Sequence, residues 1–143
     1  VPEIHFDFPV KAPADSVFDA IATPMGLDSW WTRRSRGTPE TGSEYVLNFG
    51  SGFDWRAVVT RCRPSEEFAF EMTFADDDWI DSRIEFKLDE RNEATQVQFC
   101  HAGWPEANAH YRSSSFCWAM YLRLMKRAVE IGEVVPYERR LEV

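Results

Sequence analysis

Residues 12–31 read APADSVFDAIATPMGLDSWW, and the folding of this stretch decides the architecture. Pro13 suits the first turn of a helix, where its missing N–H is not needed. Asp15 and Ser16 suit a helix start. Val17, Ala20 and Ile21 then make a short apolar stripe at helical spacing. Thr23-Pro24 ends that helix, because proline disfavours α geometry in the residue before it. GLDSWW, residues 26–31, reads as a second short helix. Adjacent side chains on a helix diverge by about 100°, so one flat core face does not easily hold both Trp30 and Trp31. Leu27 and Trp31 are i, i+4 partners. The indole pair therefore has two readings. Both rings plug one end of the core, or one closes the helix inward while the other turns toward an opening.

A period of two surrounds this helical stretch. IHFDFPV sets Ile4, Phe6 and Phe8 on one face and reads as a strand. RRSRGTPETG, residues 33–42, reads as a loop. Strands follow in series: Tyr45, Leu47 and Phe49 alternate in one, and Gly50-Ser51-Gly52 turns into the next, FDWRAVVTRC. Phe68, Phe70, Met72 and Phe74 alternate in a third. Ile84, Phe86 and Leu88 point inward in a fourth, and Val97, Phe99 and His101 in a fifth. Such alternation describes an antiparallel sheet with one covered and one wet face. The cover is a long helix over residues 106–132, whose Trp118, Tyr121, Leu122, Met125 and Val129 follow i, i+3, i+4, i+7 spacing. Traced backwards, the stripe meets Ser115, Ser114 and Tyr111. Small residues at that end leave space between helix and sheet. The fold class is α+β: a curved antiparallel sheet wrapped around a long C-terminal helix, with two short helices after the first strand. Residues 1–143 form one domain, as the length suits.

These motifs resemble the START-like, or SRPBCC, superfamily with its helix-grip fold. The branch is that of the activator-of-Hsp-ATPase homologue-like proteins. The opening signature is Ala12-Pro13, Val17-Phe18-x-Ala20, Pro24, Gly26-Leu27 and Trp30-Trp31. The closing one is Phe99, His101, Gly103-Trp104, Trp118, Leu122, Leu124, Lys126 and Gly132. Cys117 departs from the pattern, since a glycine commonly precedes the helix tryptophan, and it narrows the gap between helix and sheet. The resemblance implies a cavity for small apolar or amphipathic molecules. It does not imply one reaction, because members of the superfamily include carriers, cyclases and co-chaperone modules.

Composition bounds the partners. The chain carries 16 Lys and Arg against 24 Asp and Glu, a net charge of −8. Phosphate neutralisation needs a basic face, so nucleic acid is not an expected partner. Arg33, Arg34 and Arg36 are too short a run to change this. No apolar run reaches membrane-span length and no signal peptide is read. Three unpaired-looking cysteines, Cys62, Cys100 and Cys117, fit a reducing cytoplasm. The histidines lack HxxxH spacing, so neither a metal nor another cofactor is expected. Asp76, Asp77 and Asp78 read as a solvated turn, and His5 and His110 as surface residues.

Ligand binding between sheet and helix is the leading expectation, with Trp30, Trp31, Phe49, Phe70, Met72, Phe86, Phe99, His101, Tyr111, Ser115 and Trp118 as lining residues. A second expectation is a co-chaperone module that stimulates a chaperone ATPase. The third is a cyclase- or hydrolase-like enzyme in which His101 protonates a carbonyl held by Tyr111 and Ser115. Against the third, His101 shares the inward phase of Val97 and Phe99, where an imidazole bonded to a neighbouring hydroxyl or carbonyl is the simpler reading.

Overall fold

A computed structural model describes residues 1–143. Seven strands form one antiparallel sheet: β1 (Ile4–Val10), β2 (Arg34–Arg36), β3 (Glu44–Asn48), β4 (Asp54–Arg63), β5 (Glu67–Phe74), β6 (Arg83–Arg91) and β7 (Ala94–Ala102). Their order across the sheet is β1-β7-β6-β5-β4-β3-β2. Register shifts at Arg56/Ala57 and Val59/Arg61 on β4 bend the sheet. Two short helices, α1 (Ala14–Ala22) and α2 (Pro24–Asp28), follow β1, and the long α3 (Ala109–Ile131) follows β7. This is a helix-grip fold. A 3-10 turn over Tyr137–Glu142 closes the chain.

The α1–α2 corner follows directly from its residues. Pro13 stands as the N-cap of α1, with Asp15 in the first turn. Thr23 ends α1 and starts α2: its hydroxyl donates to Asp19 O at 2.7 Å and accepts from Gly26 N at 3.0 Å. Gly26 has to be glycine, because a Cβ there would meet Asp19 O at 1.9 Å. The second helix is shorter than its sequence pattern suggests. It stops at Asp28, and Trp30 and Trp31 lie in the turn beyond it. Their rings therefore need not diverge at helical angles, and they stack with centroids 6.0 Å apart.

Two further expectations need correction. The 33–42 loop contains strand β2, at the sheet's edge against β3. An Arg-Ser-Arg strand gives no hydrophobic alternation to read. Its inward residue is polar Ser35, which donates to Asp28 Oδ1 and Pro24 O. The long helix begins at Ala109 rather than residue 106, because the Asn108 side chain caps it by accepting from Tyr111 N at 2.9 Å. Its other end is as expected, with Gly132 in the left-handed conformation at φ 69°.

The core lies between the sheet, α1 and α3, and it is aromatic throughout. Trp30, Trp104, Trp118, Tyr45, Phe68, Phe70 and Phe99 are fully buried. Phe74, which continues the β5 alternation in sequence, lies mostly exposed instead.

Candidate functional site

The N-terminal half of α3 stands away from the sheet's β3–β4 end and leaves an open groove of about 290 Å³. One wall is α3 itself: His110, Ser113, Ser114, Cys117, Trp118 and Tyr121. Ser114, Cys117, Trp118 and Tyr121 follow i, i+3, i+4, i+7 spacing, so one helix stripe faces the space. The opposite wall is Phe49, Phe53 and Trp55 of the β3–β4 hairpin. Trp31 and Trp79 close the back, and Tyr137 forms part of the rim. The rings contact one another in series: Trp31–Phe49 at 5.2 Å, Phe49–Trp55 at 5.0 Å, Trp55–Trp79 at 4.9 Å and Trp79–Trp118 at 5.8 Å between centroids.

The two tryptophans of the opening stretch divide the work. Trp30 belongs to the core; its indole N–H donates to Ala20 O at 2.8 Å and ties α2's turn to α1. Trp31 lines the groove, with its ring 5.2 Å from that of Trp118.

His101 lies behind the groove wall, fully buried, and all its polar atoms are engaged. Trp118 Nε1–H donates to His101 Nδ1 at 3.1 Å. That contact fixes the proton on Nε2, which donates to Ser82 Oγ at 2.8 Å. Ser82 Oγ in turn donates to Trp79 O at 2.6 Å. Burial, reinforced by the His110 charge, pushes the His101 imidazole down to about pKa 3. It is neutral at physiological pH, and it orients Trp118 and the Trp79 turn. His101 is not among the groove-lining residues, so the geometry gives no support to its reading as an acid toward a bound carbonyl.

The remaining predicted residues divide between groove, core and far side. Trp31, Phe49 and Trp118 meet at the groove. Phe70, Met72, Phe86 and Phe99 are sealed in the core, where Phe70 packs on Tyr45 and Phe86 on Phe99. Tyr111 turns away toward β1, donating to Glu3 O at 2.7 Å, and Ser115 lies beside it on the helix rather than at the groove. The true stripe is rotated by about one residue from the 111–115–118 line. Ser114, Trp118 and Tyr121 were already on the stripe read from the sequence, and counting back four from Tyr121 adds Cys117. Trp55 was legible as well, being in phase with Ala57 and Val59. Trp79 and Tyr137 sit in turns and carry no periodic signal.

The Asp76–Asp78 turn is more than a solvated loop. Asp78 accepts from Asn108 Nδ2 at 3.2 Å and pairs with His110 Nδ1 at 3.1 Å. These two contacts, first Asn108 and then His110, hold its carboxyl below the usual range. The turn thus fastens the start of α3. At the other side of the groove, Arg140 is buried and donates to Asp28 O at 2.7 Å, Thr32 O at 3.1 Å and Val135 O at 2.9 Å. Beside it, Tyr137 OH donates to Phe49 O at 2.9 Å.

The wall is electrically neutral apart from the His110 rim. Burial pushes the Cys117 thiol up and the Tyr121 phenol up to about 12. Its polar groups are the hydroxyls of Ser113 and Ser114, the Cys117 thiol and the phenols of Tyr121 and Tyr137. Trp79 Nε1 is buried and meets no acceptor of the protein, which is rare for a buried donor. Trp104 Nε1 is in the same situation but lies away from the groove. No helix is long and apolar enough to cross a membrane.

The family model described as activator of Hsp90 ATPase homolog 1-like protein matches residues 11–130. No curated protein matches the chain in sequence. Among solved structures, the Aha1 dimer from Colwellia psychrerythraea is 27% identical, with a TM-score of 0.83, covering 93% of this chain and 99% of that one. A Staphylococcus saprophyticus protein gives 18% identity, a TM-score of 0.78 and coverage of 94% and 96%. CalU16 from Micromonospora echinospora gives 20%, 0.75, and 98% and 81%. The last two likenesses concern the fold.

Proposed function

From the premise that the chain belongs to the activator of Hsp90 ATPase homolog 1-like family, we propose that it binds a small, neutral, largely apolar molecule in the groove between α3 and the β3–β4 hairpin. The observation that carries this reading is the closed series of aromatic rings around a space whose one ionisable imidazole, His110, stands at the rim and which no carboxylate, lysine or arginine lines. Ligand sites are commonly concave, apolar and equipped with a few polar groups that set orientation. At about 290 Å³ the groove sits at the small end of such sites, which span roughly 300–1,000 Å³. A molecule of one or two fused rings suits it. Trp30, Phe70, Phe86 and Phe99 are buried in the core behind the groove.

A hydroxyl on the groove wall refines the ligand class. A carbonyl or ether oxygen would accept from the Ser114 hydroxyl, which lines the groove, whereas a pure hydrocarbon offers it no acceptor. The test compares 1-tetralone with tetralin, which share a bicyclic skeleton and differ in the carbonyl. Titration followed by tryptophan fluorescence should give tighter binding of the ketone, with Kd roughly in the micromolar to millimolar range. Ser114→Ala removes the donor, so it should erase the preference. Equal binding of both molecules to the native protein contradicts the role of Ser114. Binding of neither contradicts the groove as a ligand site.

A second reading follows the family's name, in which a surface engages a chaperone. Its structural support is Phe116 on α3, 80% exposed, and Phe53 at the groove rim, 59% exposed. Stimulation of a purified Hsp90-type ATPase, lost in Phe116→Ser, supports it. Absence of binding at high micromolar concentration removes it.

A further inference from the structure

The outer face of the sheet, on the side away from α3, carries a second cluster that the groove does not use. β1 and β7 pair with His5 opposite Cys100, and on the other side of Cys100 its partner on β6 is Glu85. Directly paired residues of an antiparallel sheet point to the same face. Glu3 lies two residues before His5 and shares its side of the chain. His5 Nε2 is 2.8 Å from Glu3 Oε1 and 3.8 Å from Cys100 Sγ. One ligand atom from each of the three residues lies within 4.8 Å of the other two. A hollow of about 720 Å³, walled also by Asp7, Glu85, Lys87 and Gln98, lies over them.

We propose that Glu3, His5 and Cys100 form a site for a thiophilic divalent cation of the Zn²⁺ class, with Glu85 or water completing the shell. The donor set of one imidazole nitrogen, one sulfur and carboxylate oxygens is one that Zn²⁺ takes. With Zn–N of about 2.0–2.1 Å and Zn–S of about 2.3 Å, tetrahedral ligands put nitrogen and sulfur about 3.5 Å apart. The 3.8 Å separation of His5 Nε2 and Cys100 Sγ is close to that value. The His5–Glu3 contact is a hydrogen bond and opens by about half an ångström to admit the cation. Both residues have side chains roughly half exposed, so this movement displaces no packed neighbour.

The charges around the cluster favour a cation. Glu3 and Glu85 face Cys100, together with Arg83 and Lys87 of β6. Coordination of the Cys100 sulfur forms one metal–sulfur bond and releases the thiol proton to solvent. The site was invisible to motif reading because Glu3 and His5 are two residues apart on a strand, while Cys100 arrives from the far end of the chain through sheet register.

The experiment adds ZnCl₂ to the reduced, metal-stripped full chain and measures binding by calorimetry. It repeats the titration with Co²⁺, whose thiolate bond gives a near-ultraviolet charge-transfer absorption. The expected result is one Zn²⁺ per chain, the Co²⁺ thiolate band, and release of about one proton. His5→Ala and Cys100→Ser should each weaken binding by about tenfold or more, and Cys100→Ser should abolish the band. All the mutated side chains are at least partly exposed, and circular dichroism checks that the variants fold. His110→Ala is the control, because His110 with Asp76 and Asp78 is the other histidine–carboxylate group; it should leave binding unchanged. Absence of the thiolate band, unaltered binding in His5→Ala and Cys100→Ser, or loss only in His110→Ala overturns the proposal.

Discussion

The Trp118 indole donates to His101 Nδ1 at 3.1 Å, so the buried imidazole positions a ring that lines the groove without reaching the groove itself. This single contact joins the long helix to β7. It also fixes the imidazole tautomer, and through Ser82 it extends to the turn that carries Trp79. The pH behaviour of the protein follows from it.

In the unfolded chain His101 takes up a proton near its ordinary value of 6.5, but in the native protein only near 3. Between these values the unfolded state holds more protons, so stability rises with pH. On acidification this group alone removes up to about 1.4 kcal/mol per pH unit across that window. His101→Gln offers an acceptor to Trp118 and a donor to Ser82 without titrating. Urea denaturation from pH 7 to pH 4 should show a shallower loss for this variant than for the native chain. Equal slopes would mean that His101 is not held neutral by the fold.

Trp30 and Trp31 should respond differently to truncation. Trp30→Ala removes a fully buried ring and the bond to Ala20 O, at a cost of about 3–5 kcal/mol. Trp31→Phe keeps an aromatic ring at the back of the groove. Because Trp31 is itself only 3% exposed, the smaller ring should cost about 1–3 kcal/mol, less than Trp30→Ala, while weakening groove ligands several-fold. Chemical denaturation and ligand titration on the same two variants separate the roles.

Gly26→Ala puts a methyl group onto the backbone of α1, 1.9 Å from Asp19 O. Backbone cannot yield there as a flexible side chain would. The variant should lose about 3 kcal/mol or more, seen as a lower denaturation midpoint. A neutral result would show that α1 and α2 do not cross as closely as described.

Arg140→Leu leaves the carbonyls of Asp28, Thr32 and Val135 without their donor. The expected cost is about 2–4 kcal/mol, accompanied by faster amide exchange in residues 133–143 and a loosened Tyr137 rim. Unchanged exchange there would contradict the pinning role of Arg140.

Asp78 gives a second pH signature, at lower pH. Its carboxyl is held below the ordinary range by Asn108 and His110, so its contribution is present above that range and fades as pH falls through the lowered native value. Asp78→Ala should loosen the first turn of α3 already at neutral pH, measured as faster exchange of the Tyr111 and Arg112 amides. No change in those amides would show that the turn does not fasten the helix.

The strands were legible because one covered face imposes a period of two, and β3 to β7 each repeat it with large side chains. The long helix was legible through Trp118, Leu122 and Met125. β2 was not, since its inward residue is Ser35 and hydrogen bonding rather than burial of apolar surface holds it. The groove was half legible. Phe49 follows the alternation of β3, Trp118 lies on the helical stripe of α3, and Trp31 was reached by its spacing from Leu27 although it lies in a turn, but Trp79 and Tyr137 come from turns whose placement depends on tertiary bonds. The inward phase correctly put His101 inside, yet alternation cannot distinguish a residue facing the groove from one sealed behind it. Phe70, Met72, Phe86 and Phe99 share that ambiguity.

The most direct test of the groove is to fill it. Cys117 stands at its centre on α3, between Ser114 and Tyr121, and Cys117→Trp places an indole in the space. Amide chemical-shift mapping with 1-tetralone, on native and variant protein, reads out both location and loss of binding. The account predicts saturable one-to-one shifts clustered at Trp31, Phe49, Trp79 and Ser114 in the native protein, and their disappearance in a variant that remains folded. Saturable shifts clustered elsewhere, or undiminished binding in folded Cys117→Trp, would contradict it.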